Sequence, residues 1–247
     1  MKASVFAVAA LLGVLSAGAV FASSPTAAEI DRLRMHADAG RDDGALATLS
    51  AVAQSGNVDA QRALGEALLH RPDGRRAREG LVWAERAAKQ GDARAMMLLG
   101  RSWLFGAPGL APDVPKARVW FERADPERNP RAAYYLGLLE KAAPGNGDPA
   151  AGPAKAVSHF RFAAQQGMPE AMYALGNAYA SGEGVDADAR EAMRWYLRAA
   201  ALDHPQAIQE LAFAFARGDT FLPQSDFQAE QMRRAVEHAL RHPAAAP

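Results

Sequence analysis

A leucine–glycine pair returns along the chain at Leu64-Gly65, Leu99-Gly100, Leu136-Gly137 and Leu175-Gly176, with Leu211-Ala212 as a weaker fifth copy. The spacings are 35, 37, 39 and 36 residues. A period of this size marks a repeated supersecondary unit that buries its apolar face against neighbours. Alanine stands four residues before each leucine, at Ala60, Ala95, Ala132, Ala171 and Ala207, and Leu68, Trp103 and Tyr179 stand four after. Positions i, i+4 and i+8 share one face of a helix, so each pair centres a buried helical stripe.

A second periodic run follows each of the first four pairs: Gly80, Trp83, Ala84 and Ala87; Ala117, Trp120, Phe121 and Ala124; Ala156, His159, Phe160 and Ala163; Ala192, Trp195, Tyr196 and Ala199. Every unit therefore carries two amphipathic helices. The glycines and alanines remove volume where backbones approach, and the aromatics supply bulk against the next unit. Gly91, Gly167 and Asp203-His204-Pro205 punctuate the second helices. Alanine is the commonest residue while valine and isoleucine are few, which favours helices over sheets.

The block from Ala171-Met-Tyr-Ala-Leu175-Gly176 through Gly182-Glu-Gly184-Val185 to Trp195-Tyr196 and Ala199-Ala200 resembles the Sel-one-like repeat family, relatives of the tetratricopeptide repeats. The likeness covers Val58 to Leu202 well and Pro205 to Leu240 loosely. The turn glycines depart elsewhere: Arg71 replaces one in the first unit, Ala107-Pro108-Gly109 lengthens the second turn after Gly106, and a breaker-rich loop, Ala143 to Pro153, expands the third. The resemblance implies an all-α fold, a right-handed α-solenoid of stacked helix-turn-helix repeats with about twelve helices. Thr26 to Ala39 and Asp43 to Gln54 read as an atypical capping pair within residues 23–56, since a terminal unit must face water. About five repeats fill 57–242, including a last helix from Asp226 to His242, and 243–247 form a disordered tail.

Residues 1–22 have the layout of a secretory signal: Lys2, an apolar run from Ala3 to Val20, then Val20-Phe21-Ala22 before Ser23-Ser24-Pro25. Cleavage after Ala22 is expected, with Ala19 as a second site, giving a periplasmic or secreted protein with no stable membrane insertion. The chain carries 28 basic and 28 acidic side chains. That balance argues against nucleic acid as a partner.

Chemistry-bearing motifs are sparse. There is no cysteine, no nucleophile elbow and no phosphate loop, so no catalytic residue and no cofactor is expected. His238 and His242 lie at i, i+4, but Ala239 stands where a zincin needs glutamate, so no metal is assigned. His159 takes a tryptophan position and reads as packing. Glu183, Asp186 and Asp188 fail the calcium-loop order and read as helix caps.

In helical-repeat solenoids the first helix of each pair lines the concave surface, and the resemblance carries that expectation here. Residues two before and two after each leucine should project from the buried stripe. They are Arg62, Glu66, Met97, Arg101, Tyr134, Leu138, Tyr173, Asn177, Gln209 and Phe213. Their mixture of aromatic, arginine and amide groups suits a protein or peptide partner. The same tyrosines and Phe213 also suit packing between units. Two other readings compete with an interaction scaffold. A cell-wall hydrolase needs a close carboxyl pair with raised pKa values. A carbohydrate-binding envelope protein needs open faces on Trp83, Trp103, Trp120 and Trp195.

Overall fold

The computed structural model describes residues 25–38, 43–71, 73–125, 127–142, 150–218, 225, 228, 230–232 and 234. The signal segment, the loop at 143–149 and most of the expected last helix, with His238 and His242, lie outside them. Eleven helices are bounded among the described residues: α1 Ala27–Asp38, α2 Asp43–Gln54, α3 Val58–Leu69, α4 Gly74–Lys89, α5 Ala93–Phe105 and α6 Val114–Arg123. They continue as α7 Pro130–Ala142, α8 Ala151–Gln165, α9 Pro169–Ser181, α10 Ala189–Ala200 and α11 Pro205–Arg217. Residues 228, 230–232 and 234 are helical as well. The third turn ends earlier than expected, because Ala151-Gly152-Pro153 already form the first turn of α8, where proline's missing N–H costs nothing.

Side chains set the helix starts. Thr26 and Glu29 form a capping box, the Glu29 carboxylate accepting from the Thr26 amide at 2.8 Å and the Glu29 amide donating back to the Thr26 hydroxyl at 3.3 Å. Asn57, Asp73, Asp113 and Asp188 accept backbone amides at the starts of α3, α4, α6 and α10. Asp188 thus has the capping role expected of it, whereas Glu183 pairs with Lys141 at 2.8 Å.

The ends are equally regular. After α4 the Gly91 amide donates to Ala88 and the Asp92 amide to Ala87, and after α8 Gly167 and Met168 donate to Ala164 and Ala163 in the same way. Both glycines have φ near the left-handed region, +90° and +89°, as this C-cap requires. Asp203 repeats the motif after α10 at φ +57°, with Asp203 and His204 donating to Ala200 and Ala199. Aspartate tolerates this conformation better than most side chains, so the Asp203-His204-Pro205 run ends α10 as expected.

The chain divides into two compact units, Met1–Asp92 with Ala107–Leu110, and Ala93–Gly106 with Ala111–Pro247. In the first, α1, α2, α3 and α4 pack around Ile30, Leu49, Leu64, Leu68 and Trp83. Arg71, standing in place of a turn glycine, donates to the Ala37 carbonyl at 3.0 Å and lies 3.9 Å from the Asp43 carboxylate. It thereby ties the end of α1 and the start of α2 to the first hairpin. In the second unit each helix from α5 to α11 packs on its chain neighbour.

The leucine stripe is buried in every copy: Leu99 and Leu175 have no exposed surface, Leu211 has 1%, Leu64 2% and Leu136 3%. The role of the adjoining glycine differs from expectation in one respect. The aromatics of the second helices pack first on the glycine of their own hairpin. A methyl added to Gly137 would lie 2.6 Å from the Phe160 ring, and one on Gly176 2.6 Å from the Tyr196 ring. Gly100 meets the Phe121 ring in the same way. The first hairpin has Ala84 at the ring position, and there backbone replaces the ring. A methyl on Gly65 would fall 2.9 Å from the Gly80 carbonyl oxygen, and one on Gly80 2.7 Å from the Gly65 carbonyl oxygen.

Candidate functional site

The outward register of the first helices holds at some positions and fails at others. In the first unit Arg62 is buried; it donates to Asp59 at 2.9 Å and lies 3.4 Å from the Asp92 carboxylate. Burial opposes its charge, but the Asp59 hydrogen bond and the charges of Asp92 and Asp59 prevail and raise its pKa. Glu66 is half-buried, 3.6 Å from Arg34. Arg62 is thus a structural ion-pair centre and Glu66 half of another pair, so neither is the open contact that the register suggested.

In the second unit Met97 is 8% exposed and belongs to the core around Phe121 and Leu136. This corrects its placement on the surface. The cause is geometric: a helix wedged between neighbours on two sides buries more than half its circumference, so a stripe 200° from the leucine is not wholly free. Tyr134, Leu138, Tyr173 and Asn177 are half-buried. Tyr134 meets Phe160 at 6.0 Å between ring centres, and Tyr173 meets Tyr196 at 5.8 Å. The Tyr196 hydroxyl donates to the Asn177 side-chain oxygen at 2.7 Å. Burial, reinforced by Glu210 and Tyr173, pushes the Tyr196 phenol up to about 12. These rings do finish the packing, while retaining exposed edges.

Arg101, Gln209 and Phe213 are exposed, Phe213 by 52%. A further residue belongs with them. Phe105, six after Leu99 and in line with Met97 and Arg101, is 65% exposed. Carrying the register one more turn along α5 would have found it.

The other readings meet specific obstacles. Trp83 is buried, and a cation lies over one face of each tryptophan: Arg86 over Trp83 at 4.3 Å, Lys116 over Trp103 at 4.3 Å, Arg123 over Trp120 at 4.9 Å and Arg198 over Trp195 at 4.3 Å. Hydrogen bonds to Thr26 and to Lys116 hold the Glu29 and Asp113 carboxyls below their usual range, the opposite of what a general acid requires. Among the described residues no group of three His, Asp or Glu side chains is placed to hold a metal, and no helix is long and apolar enough to cross a membrane.

His204 places a titratable ring at the start of α11. Its Nδ1 accepts the Ala207 amide at 3.3 Å, capping α11, and its ring stacks on Tyr173 at 4.9 Å. Accepting requires the neutral ring, and burial, only partly offset by Glu170, pushes the pKa below its ordinary value. On acidification the unfolded chain therefore takes up this proton before the folded one does. The contribution to stability is complete above the unfolded-state pKa and is lost as pH falls through that value toward the folded one. His204→Asn keeps an N-cap acceptor without the titration. Urea midpoints of the natural chain are expected to fall more steeply than those of the variant between about pH 7 and 5. His159, also lowered by burial, contributes to both slopes; equal slopes would exclude the His204 linkage.

Comparison with known proteins agrees with this architecture. The Sel1 repeat model matches residues 58–92, 93–124, 130–168 and 169–204. A solved Sel1 repeat protein from Oxalobacter formigenes superposes with a TM-score of 0.70 at 27% identity, covering 87% of this chain and 88% of that one. A protective antigen of uropathogenic Escherichia coli with an SLR fold gives 0.66 at 30% identity, covering 78% of this chain and 41% of that one. An ERAD-associated E3 ubiquitin-protein ligase component of Arabidopsis thaliana, HRD3B, is 33% identical over 108 residues, 44% of this chain and 16% of that protein. The chain spans 14% to 28% of the length of the curated relatives it matches. Sel1 repeat proteins generally mediate protein–protein interactions and are typically non-catalytic. With four copies in tandem from residue 58 to 204 and the all-α repeat fold of the solved examples, the chain belongs to the Sel1 repeat family.

Proposed function

We propose that the chain is an exported scaffold or adaptor that binds a protein or peptide through the first helices of its second unit, without catalysis. The observation that carries this reading is the set of side chains left open there after packing is complete: Arg101, Phe105, Gln209 and Phe213, beside the exposed edges of Tyr134 and Tyr173. Aromatic and arginine groups of this kind dominate binding energy at protein interfaces. HRD3B, by its name a component of a larger ligase, supports an adaptor role. Export rests on the signal layout of residues 1–22, and places the work in the periplasm, envelope or medium.

A photoreactive amino acid placed at Gln209 or Phe213 in intact cells tests the surface. Discrete adducts of defined mass are expected there and not from Glu79 or Glu122, exposed positions on second helices. Adducts equal at all four positions, or at none, would reject this surface as the binding face. The same cells test export: the mature chain should begin at Ser23 and leave with the periplasmic or secreted fraction.

A further inference from the structure

Arg101 and Phe105 stand one turn apart on α5, separated by about 6 Å along its axis. Among the described residues Phe105 is the most exposed of the large apolar side chains, and its ring meets Tyr135 edge-on, 6.2 Å between centres at 70°. Tyr135 is itself fixed by stacking on the buried Phe121 at 4.8 Å. The phenyl ring is therefore presented to water beside a packed aromatic pair, with which it forms a continuous apolar surface.

The charge beside it is uncompensated. Arg101 is exposed and has no ion-pair partner among the described residues, unlike Arg62, which two carboxylates hold. Helix α5 contains two arginines and no acid. On the neighbouring α7 the one acid, Glu140, is occupied by Arg118. A guanidinium without a local counter-ion favours a carboxylate that can accept two parallel N–H bonds.

We propose that this corner recognises a peptide segment of a partner protein in which an apolar side chain is flanked by a carboxylate, the apolar group covering Phe105 and Tyr135 and the carboxylate pairing with Arg101. This rests on the protein-binding reading above and narrows the class of partner. A basic segment is disfavoured at the same place by repulsion from Arg101 and by the absence of an acid on α5.

The test uses the full mature chain and two fluorescein-labelled ten-residue peptides of otherwise identical sequence, one with a central Asp-Leu-Phe-Glu tract and one with Asn-Leu-Phe-Gln, followed by fluorescence anisotropy. The acidic peptide is expected to bind at least tenfold more tightly. Arg101→Gln should erase that preference, Phe105→Ala should weaken both peptides about tenfold, and Arg94→Gln, on the same helix, should change neither. Equal binding of the two peptides, an equal effect of Arg94→Gln and Arg101→Gln, or no binding of either peptide would overturn the proposal. Adducts at Gln209 and Phe213 report on the wider surface independently, so the acidic preference can fail while that reading stands.

Discussion

Gly80→Ala is expected to cost about 3 kcal/mol, a large part of the stability of an ordinary domain. The added methyl would lie 2.7 Å from the Gly65 carbonyl oxygen and 3.0 Å from the Leu69 amide nitrogen. Both are backbone atoms inside α3, so relief requires the two helices to separate and to surrender contacts along their whole length. Gly137→Ala is a milder change because the opposing group is the Phe160 ring, which can tilt. Phe160→Leu should restore part of the loss in a Gly137→Ala background, a coupling that a double-mutant cycle detects. Nothing comparable rescues Gly80→Ala. Urea unfolding gives both results; a midpoint shift for Gly80→Ala no larger than that for Gly137→Ala would refute the backbone-contact argument.

Phe121→Ala carries the other large effect, about 3–5 kcal/mol. Phe121 has no exposed surface, lies over Gly100 and stacks at 5° on Tyr135, so it joins its own hairpin to α7. Its removal leaves a void among Met97, Leu136, Leu139 and Tyr135, side chains that two packed helices already hold in place and that close it only in part. Hydrogen exchange should show the loss first in α5 and α6 and later in α9 and α10, because stability in repeat chains is a sum of hairpin and neighbour contributions. Uniform acceleration across all four helices would contradict that order.

The sequence reveals the repeat because its period is written in small residues. Leu-Gly and the alanines four before it are needed wherever two backbones approach, and few substitutions satisfy that need. Helix ends are legible at Gly91, at Gly167 and at Asp203-His204-Pro205, because few residues suit the left-handed backbone that follows a helix. The surface is harder to read. Arg62 and Met97 occupy outward positions by simple helical geometry, yet an acid on the following helix boundary captures the one and a neighbouring core covers the other. Those partners lie about 30 residues away in sequence or on another helix, and periodicity within one helix carries no information about them. The ring on each glycine was visible as a pattern but not as a contact, because which neighbour a helix meets first is a tertiary fact.

The glycine–aromatic fit in the later hairpins has a bearing on how such a chain changes over generations. Gly100 with Phe121, Gly137 with Phe160 and Gly176 with Tyr196 each lie within one contiguous stretch, so copying or deleting that stretch transfers or removes both halves together. Array length is then free to drift by whole hairpins without leaving an orphaned ring. The leading hairpin, matched by Gly65 and Gly80 instead, is the copy least suited to recombine with its siblings, since a crossover between them would bring an aromatic onto a gap made for bare backbone.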